Sequence, residues 1–263
     1  MSTDNSISPF DEYLLAAVEM ASGAGRIMRE YFRSATLTEK AKINDADIVT
    51  PADKACDALI TGEIHKRFPD HSILAEESGE SESGSDYRWV IDPIDGTTNF
   101  AAGLPICCTS IALEYKGETV VGVVYDPFTD ELFTAVKGQG AMLNGNPIRV
   151  KTNELLSHAV VSTGFPIDKD TNPDNNADVV ARVLPHVRGL RRLGSSAMDI
   201  CYVAAGVLDA YWEMNLHAWD VAAALLILHE ADGCHASYRD DRNISIIVSS
   251  RALFPKIQPL IND

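Results

Sequence analysis

A chain of 263 residues with 46% hydrophobic residues can bury one large core or two closely packed halves, which excludes a disordered polypeptide. Its formal net charge of −16 at pH 7 excludes a broad basic surface, so no nucleic-acid partner is expected. No apolar stretch is long enough to span a bilayer, and five cysteines without a C-x-x-C spacing argue for reduced thiols and against structural zinc.

Met1 to Phe10 is polar, with neither a basic n-region nor an apolar h-region, so a cytoplasmic protein without membrane insertion is expected. From Asp11 to Arg33, Leu14, Val18, Ala21 and Met28 recur at helical spacing and predict a long amphipathic helix, with Gly23 and Gly25 permitting close packing. A second helix is predicted from about Ala52 to Phe68. Pro51 suits its first turn, and Asp53 sits near its N-terminus, where the helix dipole favours a carboxylate. Ser72 to Ala75 reads as a short strand ending at Glu76-Glu77, and the Gly-, Ser- and Glu-rich segment Ser78 to Arg88 as a mobile surface loop. Val90-Ile91 reads as the end of a buried strand. Further strands are predicted at Ile106 to Tyr115, Thr119 to Tyr125 and Glu131 to Val136, and Cys107-Cys108 is assigned to the core.

After about residue 150 the pattern alternates: strand at Ala159 to Ser162, helices at Asp174 to Val187 and Ser195 to Gly206, strand at Asp209 to Glu213, helix at Trp219 to Ala231. The chain is therefore divided into halves 1–150 and 151–263 within one compact unit, and the seam between halves is a natural place for a ligand.

The most informative run is Trp89-Val90-Ile91-Asp92-Pro93-Ile94-Asp95-Gly96-Thr97-Thr98-Asn99-Phe100. Asp92 and Asp95 lie between an apolar strand and a small-residue turn. Pro93 fixes the backbone, and Gly96 allows a ligand close approach. Two readings fit: a phosphate site in which both carboxylates hold a hard cation beside a helix start, or an Asp-rich turn that caps a helix. Four further acidic segments, containing Asp47 and Asp53, Glu76-Glu77, Glu213 and Asp220, each fall near a strand end or a helix start. Singly, each reads as a cap or a solvated acid. Clustered, they would repel one another unless cations lay among them, and oxygen donors without a His or Cys set select Mg²⁺ or Mn²⁺ over zinc. The scattered histidines join no nucleophile motif and are read as structural or surface residues.

Together with Asp47-Ile48-Val49-Thr50-Pro51-Ala52-Asp53, Glu76-Glu77-Ser78, Gly194-Ser195-Ser196-Ala197, Trp219-Asp220-Val221-Ala222-Ala223 and Ala231-Asp232-Gly233, this run strongly resembles the inositol monophosphatase family over essentially the whole chain. The resemblance implies an α/β (α+β) fold, a layered α-β-α-β-α sandwich of the inositol monophosphatase and fructose bisphosphatase type. It also implies a homodimer, Mg²⁺ dependence and, in many members, inhibition by Li⁺. Carried over by position, Glu76, Asp92 and the Ile94 carbonyl would hold one Mg²⁺, and Asp92, Asp95 and Asp220 a second. Asp53 and Thr97 match the positions that orient and deprotonate the attacking water, next to Glu76. The amides of Gly96 and Thr97 would receive phosphate. Gly194, Ser195, Ser196 and Glu213, bordered by Asp95 and Asp220, match positions that contact the hydroxyls of the substrate.

The implied reaction is hydrolysis of inositol monophosphate, a small phosphorylated polyol, by a metal-activated water. Alternatives within the superfamily cleave histidinol phosphate, fructose 1,6-bisphosphate or 3′-phosphoadenosine 5′-phosphate, or act as regulatory binding proteins, some with the transcription machinery. Glu213 could instead be a solvated strand-end acid, and Lys42, which matches a lysine near the family's metal site, a surface residue. Ala75 and Ser196 stand where many relatives have Gly and Ala.

Overall fold

The computed structural model describes residues 9–35, 37–42 and 47–262; residues 1–8, which carry most of the segment read for a leader, lie outside them. Helix α1 (Asp11–Tyr31) buries Ala16, Ala17, Met20, Ala21, Ala24 and Met28 along one stripe. Gly25 is required there, because a Cβ would come within 2.6 Å of the Tyr125 ring. The helix stops two residues short of its predicted end, where Phe32 turns extended and Arg33 takes φ 55°. A short antiparallel pair, β1 (Lys40–Ala41) and β2 (Ile48–Val49), leads to α2 (Pro51–Arg67). Pro51 opens α2, and Thr50 and Asp53 form a reciprocal capping box.

Next come β3 (Ser72–Ala75), β4 (Gly79–Ser81), β5 (Tyr87–Asp95), the short α3 (Thr97–Ala101), β6 (Cys108–Tyr115), β7 (Glu118–Asp126), β8 (Glu131–Val136), β9 (Ala141–Leu143) and β10 (Asn146–Pro147). They form an eight-stranded sheet in the order β10-β9-β8-β7-β6-β5-β3-β4, antiparallel except for β3 with β5. The segment predicted as a loop at Ser78 to Arg88 thus contributes the exposed edge strand β4 and the start of β5. Its polar side chains suit an edge, where only one ladder must be filled.

The remainder folds as β11 (Val160–Thr163), α4 (Ala177–Val183), β12 (Gly189–Arg191), α5 (Ser196–Ala204), β13 (Ala210–Leu216), α6 (Ala218–Glu230), β14 (Gly233–Ser237), β15 (Ile244–Ser250) and α7 (Phe254–Asn262). Their strands make a second sheet, β12-β11-β13-β15-β14. The helix predicted over Asp174 to Val187 is shorter: Asn176, at φ 75°, delays its start, and Pro185 tightens its end into a 3₁₀ turn.

Helices α1 and α2 cover the outer face of the large sheet, α5 and α6 lie between the sheets, and α4 and α7 cover the outer face of the small one. This is the α-β-α-β-α layering. Strand alternation divides the central strands between two cores: Trp89, Ile91, Ile111 and Leu113 face α1 and α2, whereas Val90 and Ala112 face α5 and α6. Both faces are dry, which is why these strands read as unbroken apolar runs. Full burial of a side chain such as Ile91 contributes roughly 1.5–3 kcal/mol. Gly122 brings α6 onto the sheet, since a Cβ there would lie 2.6 Å from the Ala223 carbonyl oxygen.

Candidate active site

Strand ends and helix starts from both halves converge on one cleft. The Glu76 amide donates to the Ile91 carbonyl (3.1 Å), which holds the residue after β3 against β5. In β5 the pairing with β6 slips between Asp92 and Asp95, so two carboxylates three residues apart reach the same side. Gly96 follows at φ 96°. A Cβ there would press on the carbonyl oxygens of Ile106 (3.0 Å) and Gly194 (3.1 Å), so the backbones of the two halves meet at this glycine. Asn99 locks the junction, donating to the carbonyls of Ile106 (2.8 Å) and Leu193 (2.7 Å).

Asp53 is fully buried and both its oxygens are engaged. Oδ2 accepts from the Thr50 amide (2.8 Å) and hydroxyl (2.6 Å), and Oδ1 accepts from the Thr97 hydroxyl (2.8 Å). Thr97 also lies 3.0 Å from the Ile94 carbonyl. Burial raises the Asp53 carboxyl above the usual range, opposed by the hydrogen bonds from Thr50 and Thr97. Asp53 does not line the cleft itself; Thr97 does, and carries its influence there.

Asp95 caps α5 from across the interface. Its Oδ2 accepts from the Ser195 hydroxyl and the Ala197 amide, both at 2.7 Å, and its Oδ1 from the Ser196 amide at 3.3 Å. The buried Ser195 hydroxyl is thus turned onto Asp95. Gly194 and Ser196 line the cleft, whereas Ser195 does not, because the cap draws its side chain inward. Asp220 holds the N-terminus of α6, accepting from the His217 amide at 2.7 Å. Glu213 does not end its strand. It sits inside β13 just before a register slip, with Asn215 at φ 66°, and the bulge aims it inward. Lys42 bonds to Glu76 (2.9 Å) and to Glu77, and therefore belongs to the cleft.

The cleft has two lobes. An inner lobe of about 180 Å³ is walled by Asp92, Ile94, Gly96 and Thr97; an outer lobe of about 450 Å³ is walled by Glu213, Ser196, Phe165 and Trp219. Glu76, Asp95, Gly194, Asp220 and Arg192 border both. Burial, and then the mutual repulsion of these acids, pushes Asp92 well above the usual carboxylate range, with Glu76, Asp95 and Asp220 as its neighbours. Asp95 is pushed up to about 7 by burial and by Asp220, against the hydrogen bonds from α5. Glu76 is also raised by burial, in spite of Lys42.

Among the described residues, no three His, Cys, Asp or Glu side chains already stand in a metal-holding geometry. Bare carboxylates repel, and here Lys42 takes up part of the charge. The donor set nevertheless suits a hard cation. It is all oxygen, and the buried Asp92 Oδ1 has no hydrogen-bond partner.

Two contributors went unmarked in the sequence. Gly164, after β11, leaves the space that the Glu213 carboxylate fills; a Cβ there would overlap it. Arg192 is an exposed cation bordering both lobes, and its signal was a basic pair, Arg191-Arg192, just before Gly194 in an acidic chain.

The model of the inositol monophosphatase family matches residues 10–262. The chain belongs to the inositol monophosphatase family. Among relatives within it, the Nus factor SuhB of Escherichia coli strain K12 is 40% identical over 242 residues, covering 92% of this chain and 91% of that protein. A crystal structure of the extragenic suppressor protein suhB from Bartonella henselae superposes with a TM-score of 0.89 at 36% identity, covering 96% of this chain and 99% of that one. The inositol monophosphatase from Anabaena (Nostoc) sp. PCC 7120 gives a TM-score of 0.85 at 36% identity over 97% and 96% of the two chains. Membership in the inositol monophosphatase family, and the layered fold shared with these structures, support a metal-binding phosphatase.

Proposed function

We propose that this chain is a Mg²⁺-dependent phosphomonoesterase that hydrolyses inositol monophosphate, or a close polyol phosphate, to the free polyol and phosphate. The observation that carries the reading is the two-lobed cleft, with five carboxylates around the inner lobe, the Asp53–Thr97 pair beside it and Glu213 in the outer one. Glu76, Asp92 and the Ile94 carbonyl would hold one ion, and Asp92, Asp95 and Asp220 another. Bound there, Mg²⁺ acidifies water and offsets charge on the phosphoryl and leaving oxygens.

The chain's own groups do the rest. Thr97 donates to Asp53, so its hydroxyl oxygen presents a lone pair to the attacking water. As water loses a proton to Thr97, Thr97 passes its own to Asp53, whose burial makes it a stronger base. The amides of Gly96 and Thr97 receive phosphate oxygens. In the outer lobe the Tyr211 hydroxyl donates to Glu213 Oε2 at 2.5 Å, leaving Oε1 to accept from a substrate hydroxyl. Such an acceptor in a walled pocket favours a polyol, because a substrate lacking the hydroxyl would leave it unpaired. A cytoplasmic homodimer belongs to the same proposal, and all five cysteines, unpaired in the structure, accord with a reducing compartment.

The test is phosphate release from inositol 1-phosphate with and without Mg²⁺, in the wild type and in Asp220→Asn. Release that needs Mg²⁺ and disappears in the variant is expected; release unaffected by either would sink the reading. The relatives named Nus factor SuhB favour a second reading, in which the same chain also serves as a regulatory binding factor in transcription. If the cellular role of the protein persists in Asp220→Asn, that binding role is separate from turnover.

A further inference from the structure

Arg192 stands apart in this cleft. The charged groups around it are mostly carboxylates, and the other cation, Lys42, is held by Glu76 and Glu77. Among the described residues the Arg192 guanidinium donates no hydrogen bond and closes no ion pair; its charge acts on the carboxyls of Asp199 and Glu213 only at a distance, making each easier to ionise. Its position is set by Gly194. A Cβ on Gly194 would overlap Arg192 Nη1, so the guanidinium lies across the bare backbone of that glycine. Gly194 in turn backs onto Gly96, whose absent Cβ would lie 3.1 Å from the Gly194 carbonyl oxygen. The stack Gly96–Gly194–Arg192 thus brings five unused N–H donors beside the turn that opens the inner lobe.

We propose that Arg192 is a phosphate-binding residue, which closes over the phosphoryl group from the outer side of the cleft while the Gly96–Thr97 turn holds it from the floor. The proposal rests on the phosphatase reading and adds to it a protein cation that recognises the phosphate rather than the polyol. Three features support it. The side chain borders both lobes, so it lies where the phosphate would join its alcohol. Its planar fork matches two phosphoryl oxygens at once, which a lysine cannot do. It is also exposed and without a fixed partner, so it can swing onto a ligand without breaking an existing ion pair.

The experiment is calorimetric binding of inorganic phosphate to the Mg²⁺-loaded wild type, Arg192→Gln and Arg192→Lys, alongside kcat and KM for inositol 1-phosphate and for an aryl phosphate that has no polyol. Arg192→Gln is expected to weaken phosphate binding roughly tenfold and to raise KM for both esters by a similar factor, with Arg192→Lys recovering only part of the loss. Unchanged phosphate affinity in Arg192→Gln overturns the proposal. So does a loss confined to inositol 1-phosphate, which would make Arg192 a polyol contact, or full recovery by lysine, which would reduce it to a charge that balances Glu213 and Asp199. Phosphate binding is read without turnover, so a wild type that binds phosphate through Arg192 and releases none from esters would contradict the proposed function alone. A wild type that binds no phosphate contradicts the role of Arg192.

Discussion

Replacing Gly164 by alanine should disable the substrate pocket while leaving the fold nearly intact. The added methyl group would occupy the place of the Glu213 carboxylate, so Glu213 must leave its hydrogen bond with Tyr211. Overpacking a rigid core costs about 1–3 kcal/mol, but here the displaced atoms end a flexible side chain that opens onto a cleft of about 450 Å³. The stability loss should therefore stay near the low end, about 1 kcal/mol. The displaced carboxylate intrudes where the polyol would sit. We expect kcat/KM for inositol 1-phosphate to fall about tenfold to hundredfold, or about 1.4–2.8 kcal/mol of transition-state stabilisation. An aryl phosphate should lose much less. The assay is steady-state phosphate release on both esters, with thermal unfolding of each variant. In a Glu213→Ala background the same Gly164→Ala change should do little more, because the clash is gone. Equal losses on both esters, or additive losses in the double variant, would refute the coupling of Gly164 to Glu213.

Other outcomes follow from the same geometry. Burial first, then Asp220, raises the Glu213 carboxyl from its ordinary 4.5 to about 8, so its contribution to stability is complete below about 4.5 and is lost as pH rises towards about 8. Glu213→Gln, neutral throughout, should flatten that part of the stability–pH curve of the Mg²⁺-free protein, as followed by denaturant unfolding; an unchanged slope would contradict it. Asp92→Asn removes a buried acid whose Oδ1 has no partner and whose ionised form its acidic neighbours repel, and should stabilise the metal-free protein by roughly 1–3 kcal/mol while abolishing the rise in Tm caused by Mg²⁺. Because the raised acids must lose protons to bind a cation, that Mg²⁺-induced rise should be larger at about pH 8 than at about pH 5.5, as scanning calorimetry would read. Asp53→Asn should lower kcat by about 10²–10⁴-fold with little change in KM, whereas a variant that mainly raises KM would place Asp53 in binding instead.

Features carried by neighbouring residues were legible in the sequence. Pro51 and Asp53 marked the start of α2, and the Asp92–Asp95 run marked the inner lobe, because capping and turn chemistry act over three or four residues. The position of Glu213 was misread: a strand bulge depends on the partner strand β15, which the acid's own neighbours do not reveal. Ser195 was expected at the substrate and instead bonds to Asp95, one hundred residues away, a pairing that only the packed halves create. Gly164 and Arg192 were missed for the same reason, since each matters through what the fold sets against it. Strand β15, by contrast, was legible and overlooked: Ile244 to Ser250 is rich in β-branched residues bounded by polar ones.

The most direct measurement is kcat/KM with Mg²⁺ across inositol 1-phosphate, histidinol phosphate, fructose 1,6-bisphosphate and 3′-phosphoadenosine 5′-phosphate. A clear preference for inositol 1-phosphate, lost in Glu213→Gln, is the predicted result. Preference for 3′-phosphoadenosine 5′-phosphate, or no release from any of the four, would contradict the assignment of a polyol phosphatase.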